Sequence, residues 1–195
     1  MEVIDTYGRR ILIGRNFINI RLATIDDIQQ LVNLRILQQH DDWGSEYVDY
    51  DGKFYTRTLN ALKDFLYRED DLQPSKGVIF IAEMHGKIIA TCGLQRIDML
   101  PQCNDNGQYG YVFNVFTVKE YRRQGIQSRL IENILSYSEK YGLTEIKLET
   151  DSQDAISLYK KYGFEYDTLF MSKKILASSG YGECATAMIT ESREV

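Results

Sequence analysis

The chain has 195 residues, with 23 basic against 28 acidic side chains for a net charge of −5, and 44% of its residues are hydrophobic and 26% charged. Those figures describe an ordinary globular domain and exclude intrinsic disorder, collagen and coiled-coil rods. The acidic balance argues against a nucleic-acid binder that grips phosphates over a broad face.

The apolar runs are short, Val78-Ile79-Phe80-Ile81-Ala82 being typical, so neither a bilayer-spanning helix nor a membrane partner is expected. Met1-Glu2-Val3-Ile4-Asp5 carries no basic segment ahead of an apolar core, so no signal peptide is expected. Cys92, Cys103 and Cys184 stand far apart. That scatter suits reduced thiols in a cytoplasmic setting, not a disulfide framework or a metal cage.

In chain order, residues 1–16 resist assignment and are set apart as an N-terminal extension. Residues 17–22 alternate as a strand. Thr24 then has the chemistry of an N-cap, with Asp27 three residues on. Ile28, Leu31, Val32 and residues 34–37 follow at helical spacing. A second amphipathic helix is predicted over 53–68, with Tyr55, Leu59, Leu62, Phe65 and Leu66 as its apolar stripe. Residues 78–84 and 87–98 read as a hairpin turning at His85-Gly86. Residues 109–118 are apolar on both faces except at Asn114, the pattern of a central strand covered on both sides. A helix is predicted over 123–141 with Gly142 as its C-terminal cap, then a strand over 145–150. A short helix over 152–162 ends at Gly163, and 164–175 reads as one or two final strands. Strand, helix and strand between 109 and 150 imply a parallel pair joined by a right-handed crossover. Residues 17–175 thus form one domain, and 176–195 read as a tail.

The sharpest chemical signal is Val118-Lys119-Glu120-Tyr121-Arg122-Arg123-Gln124-Gly125-Ile126-Gln127-Ser128. A central strand ends there, a basic turn containing glycine follows, and a helix opens. Unpaired N–H groups and the partial positive charge of a helix N-terminus suit a phosphate. Gly125 leaves room for close approach, and Arg122, Arg123 and Arg129 add positive charge. The spacing is neither a Walker A loop nor a dinucleotide-binding fingerprint.

Arg122-x-x-Gly125-x-Gln127 after a strand resembles the Arg/Gln-x-x-Gly-x-Gly/Ala signature of the GNAT superfamily of N-acetyltransferases. Ala155-Ile156-Ser157-Leu158-Tyr159-Lys160-Lys161-Tyr162-Gly163-Phe164 resembles that family's Ala-x-x-x-Tyr-x-x-x-Gly-Phe segment. The resemblance covers residues 19–175 and implies an α/β fold: a mixed, mostly antiparallel sheet whose central parallel strands splay apart, flanked by helices. It also implies acetyl-CoA in the splay, as a co-substrate and without a metal. The pantetheine would pair with the backbone of Phe116, Thr117 and Val118. The pyrophosphate would sit on the amides of Arg123, Gln124, Gly125, Ile126, Gln127 and Ser128. Tyr159 holds the position of a general acid, and a phenol with an ordinary pKa near 10 stays protonated at neutral pH. Two positions depart from the pattern. Gln127 replaces Gly or Ala, so its side chain must turn away from the phosphates or bond to them. Ser152 stands where many relatives carry Asn for a polar contact with the cofactor.

Each residue also has a plainer role open to it. Tyr159 can simply pack its ring in the core. Asn114, a polar group in an apolar strand, either lines the acceptor pocket or bonds to a nearby loop. Glu149 either positions the amine or a water, or is an exposed strand-end carboxylate. His85 reads as a turn residue and His40 as a helix-end residue. Residues 41–51 hold five carboxylates and three aromatics with no basic residue. In the family this region borders the acceptor, where such groups suit a cationic amine; the alternative is a solvated acidic loop. The expected activity is acetyl transfer from acetyl-CoA to a primary amine of a small molecule or peptide, in a homodimer by default. The rivals are a non-catalytic acyl-CoA sensor or regulatory domain, and an interaction module that has lost the cofactor.

Overall fold

The computed structural model describes residues 9–13, 16–44, 52–66, 76–101, 103 and 105–167. The chain divides into two units, Met1–Thr150 and Asp151–Val195.

In the first unit, within the stretch read as an extension, Arg9–Ile13 forms strand β1, antiparallel to β2, Asn16–Leu22. A 3-10 turn over Ile25–Asp27 leads into helix α1, Ile28–Trp43. Helix α2, Lys53–Leu62, tightens into a 3-10 turn over Lys63–Phe65. It therefore stops short of the expected limit, because Leu66 is already extended at φ −110° and ψ 136°. Strands β3, Gly77–Met84, and β4, Lys87–Asp98, form the expected hairpin. His85 (φ 51°) and Gly86 (φ 76°) both take positive dihedrals, the twist that tight two-residue hairpins need. Strand β5, Gln108–Thr117, helix α3, Ile126–Lys140, and strand β6, Glu145–Lys147, complete this unit.

The six strands lie in sequence order, all neighbours antiparallel except the parallel pair β5 and β6. That mixed sheet with its helices is the architecture anticipated from the sequence. One sheet face carries α1 and α2, with Leu31, Val32, Leu62, Phe65, Ile79 and Ile81 in a single buried cluster. Helix α3 buries Ile126, Leu130, Ile131, Ile134 and Tyr137, residues that share one helical stripe. The Tyr137 ring meets Phe80 of β3 at 6.2 Å, edge to face. Burying each of these side chains contributes roughly 1.5–3 kcal/mol.

Two irregularities shape the middle of the sheet. Thr91 pairs with Phe116, yet Gly93 pairs with Phe113, so Asn114 and Val115 together oppose Cys92 alone. This is a β-bulge. Asn114 takes φ 51°, a conformation asparagine tolerates better than most residues. The extra residue lets Phe113 and Phe116, three apart, face the same cluster. The second irregularity is that β6 stops at Lys147, not at 150, so its ladder with β5 covers only Tyr109, Gly110 and Tyr111. Beyond Tyr111 no described strand pairs with that edge of β5.

In the second unit, helix α4 spans Gln153–Lys160. Residues 164–167 are not in a strand. The remainder of the expected final strands, the tail 176–195, and residues 45–51 of the acidic stretch lie outside the described residues.

Candidate active site

Between β5 and α3 the chain makes a 3-10 turn at Lys119–Tyr121, then reverses through Arg123 (φ 61°) and Gly125 (φ 78°). Gly125 is the N-cap of α3. It has no side chain with which to cap the helix, so the N–H groups of the first turn receive no bond from it. The first helical bond, from the Arg129 N–H to the Gly125 carbonyl, spans 3.3 Å. A Cβ built on Gly125 would meet no atom within 4 Å. An open space above an uncapped helix start is what a phosphate needs, so the expected pyrophosphate cradle fits these residues.

The basic residues contribute less free charge than the sequence suggested. Arg122 donates from Nη2 to Asp41 Oδ2 at 2.6 Å and from Nε to the Thr117 carbonyl at 2.8 Å. Its guanidinium also lies 5.5 Å from the centre of the Phe116 ring. Arg129 pairs with Glu132 at 2.9 Å. Asp41, the first carboxylate of the acidic stretch, is thus partnered by the signature arginine and not held ready for an amine.

From the bulge onward, side chains cover four successive carbonyls of β5. The Asn114 oxygen accepts from Thr91 Oγ1 at 2.8 Å, and the Val115 oxygen from Gln38 Nε2 at a long 3.4 Å. The Phe116 oxygen accepts from Gln127 Nε2 at 2.8 Å, and the Thr117 oxygen from Arg122. Val118 uses both its backbone groups within the chain, its N–H on Ile89 and its oxygen on Tyr121. Because the N–H of Val118 points towards β4, the alternation of a strand turns that of Thr117 to the opposite edge. A molecule lying along this edge would meet the Thr117 N–H, while the Thr117 carbonyl already has a partner. The sequence named Phe116, Thr117 and Val118 but missed Thr91 and Gln38. A lone polar residue inside the apolar run of β4 was the available signal for Thr91; nothing marked Gln38.

Gln127 turns inward, away from the loop where phosphate is expected. Asn114 lies in the bulge, its Nδ2 at 3.5 Å from Thr91 Oγ1. Its Oδ1 is buried with no hydrogen-bond partner among the described residues. Burial, and then the charge of and a hydrogen bond with Glu149, push the Tyr111 phenol above its usual range. Glu149 itself is exposed and follows the end of β6. His85 is the exposed turn residue anticipated, and His40 lies in the last turn of α1. Cys92 is buried, which pushes its thiol up, and Cys103 is exposed. Among the described residues no group of three His, Cys, Asp or Glu could hold a metal. No described helix is long and apolar enough to cross a membrane.

Within the second unit, Ser152 is the N-cap of α4, its Oγ accepting from the Ala155 N–H at 3.4 Å. At the other end, Gly163 (φ 82°) closes the helix. The Phe164 N–H reaches the Tyr159 carbonyl at 3.2 Å, and the Gly163 N–H reaches that of Lys160 at 3.2 Å. This is a Schellman cap, with the customary apolar contact supplied by the Tyr159 and Phe164 rings at 5.5 Å. The spacing Tyr-x-x-x-Gly-Phe is therefore a helix ending in its own right, and Tyr159 is buried.

Comparison with known proteins shows the family. The model of the acetyltransferase (GNAT) family matches residues 35–164. An N-alpha-acetyltransferase of Saccharolobus solfataricus is 25% identical over 177 residues, covering 86% of this chain and 87% of that protein. N-alpha-acetyltransferase 30 of Schizosaccharomyces pombe is 42% identical over 57 residues, a match spanning 28% of this chain and 38% of that protein. The crystal structure of a predicted acetyltransferase with acetyl-CoA from Clostridium acetobutylicum has a TM-score of 0.66 at 27% identity. It covers 80% of this chain and 96% of that one.

Proposed function

Because the chain belongs to the GNAT acetyltransferase family, we propose that it moves an acetyl group from acetyl-CoA to a primary amine of a small molecule or peptide. The observation that carries this reading is the junction of β5 and α3: an uncapped helix start with open space over Gly125, beside a strand whose carbonyls are already covered. The structural relative bound to acetyl-CoA supports the same donor. Two relatives are named N-alpha-acetyltransferases, which supports trying peptides with free N-termini first.

Acetyl-CoA supplies the acetyl group as an activated thioester. The amides of Arg123 to Ser128, in the turn before α3 and in its first turn, hold its pyrophosphate. Backbone N–H groups of β5 meet the negative charge that develops on the acyl oxygen as the neutral amine attacks. The Tyr159 phenol gives its proton to the departing sulfur and is restored, through water, by the proton that the attacking nitrogen releases; Ser152 adds a polar contact.

The test is an acetyl-CoA-dependent screen over peptides with free N-termini, polyamines, aminoglycosides and amino acids. Acetylated product that depends on acetyl-CoA is expected in at least one class. Tight binding of acetyl-CoA with no transfer to any amine would instead make the protein an acyl-CoA sensor.

A further inference from the structure

Gln127 is the second residue of α3 and stands where the family signature ordinarily has a residue with little or no side chain. Its Nε2 lies 2.8 Å from the Phe116 oxygen, 3.0 Å from Thr117 Oγ1 and 3.2 Å from the Thr91 oxygen. Two of those partners are carbonyls, which can only accept, so the orientation of the amide is determined. Its own Oε1 is buried with no partner among the described residues. Leaving such an acceptor unsatisfied has a cost, set against the two N–H groups of Nε2, which are shared among three acceptors.

The bridged places are chemically distinct. One is the first turn of α3, where the proposed function puts the pyrophosphate. The other is β5 just past its bulge, where the family resemblance puts the pantetheine that carries the thioester. We propose that Gln127 is a positioning residue for acetyl transfer: its amide fastens the start of α3 to the bulged strand, holding the two ends of the donor site at one spacing. This rests on the proposed function. A glycine or alanine there makes no such link, so the spacing would be left to the surrounding packing.

Two substitutions test it. Gln127→Ala removes the link, and Gln127→Glu keeps the shape but turns a carboxylate towards three oxygens. Both are expected to lower kcat roughly 10- to 100-fold, because a reacting group displaced by about an ångström loses that much. The Kd for CoA, measured by calorimetry, should change far less. Amide hydrogen exchange at Phe116 and Val118, which face β4, should quicken. A role in packing alone would leave Gln127→Glu close to wild type in kcat, and that result overturns the proposal. So does wild-type kcat in Gln127→Ala, or a loss of kcat that merely tracks the unfolded fraction. Should Gln127→Glu fail to fold, Gln127→Ala decides by the same measures. Should the wild-type protein acetylate nothing, the reading of its function fails separately. Exchange in Gln127→Ala then decides the link, quicker exchange supporting it and unchanged exchange overturning it.

Discussion

Gly125 combines two demands that only glycine meets together. Its φ of 78° is a left-handed conformation, which costs a residue with a Cβ about 1–2 kcal/mol. The missing side chain also keeps open the space over the helix start. Gly125→Ala should therefore lose roughly 1 kcal/mol of stability and, by crowding the phosphate, lose acetyl-CoA affinity at least tenfold. A Kd unchanged in calorimetry would mean that the phosphate lies elsewhere. Tyr159 has two roles to separate. Tyr159→Phe keeps the ring against Phe164 and removes only the hydroxyl. If the phenol protonates the leaving sulfur, kcat should fall by about 10²–10⁴ with acetyl-CoA affinity retained. A rate-limiting chemical step that runs unchanged in the variant would leave Tyr159 as a helix-cap residue.

The entry to α1 is built around one carboxylate. Asp27 accepts the Thr24 N–H at 2.8 Å and two bonds from Arg21, at 2.7 and 2.9 Å. Arg21 also reaches Glu83 on β3 at 2.7 Å, so the helix start is tied to the sheet. Burial works against the charge on Asp27, but Arg21 and Thr24 outweigh it and hold the carboxyl below its ordinary 3.8. A depressed value in the fold means that this stabilisation is whole at neutral pH. It is lost as pH falls below about 4 through the folded value. Asp27→Asn should cost roughly 2–3 kcal/mol near pH 7. Its urea midpoint should fall less than that of the wild type on acidification; parallel curves would show that the charge is not what matters. The far ends of the helices follow a different rule. At Gly142 (φ 69°) the Leu143 N–H reaches Ser138 at 3.0 Å and the Gly142 N–H reaches Glu139 at 3.1 Å. Helix α3 therefore ends in the same kind of cap as α4.

At the scale of the first unit, the sheet is continuous on one side of β5 and interrupted on the other. β4 pairs along β5 to Thr117, whereas β6 leaves after Tyr111. Among the described residues this interruption leaves strand backbone that an extended ligand would reach without displacing another strand, as the proposed function requires. Binding there and at the start of α3 should stabilise the folded protein. At about 100 times its Kd, acetyl-CoA should add roughly 2.7 kcal/mol, seen as a rise in Tm. The absence of any rise at millimolar acetyl-CoA would remove the donor assignment.

What the sequence determined by itself is local. Apolar periodicity placed α1, α3 and the hairpin of β3 and β4, because side chains of one stripe must share one buried face. Thr24 with Asp27, Gly142 and Gly163 marked helix ends, because caps are made by residues a few positions apart. The two signatures around Gly125 and Tyr159 were legible for the same reason. Tertiary structure alone decided the rest. Asn114 looked like a polar intrusion until Thr91, 23 residues away, took its carbonyl and the bulge set Phe113 and Phe116 on one face. Gln127 looked like a misfit in a phosphate loop until carbonyls 11 and 36 residues away came within reach of its amide. Gln38 reaches Val115 across 77 residues. A hydrogen bond depends on which groups meet once the chain is packed, and local spacing carries no record of that.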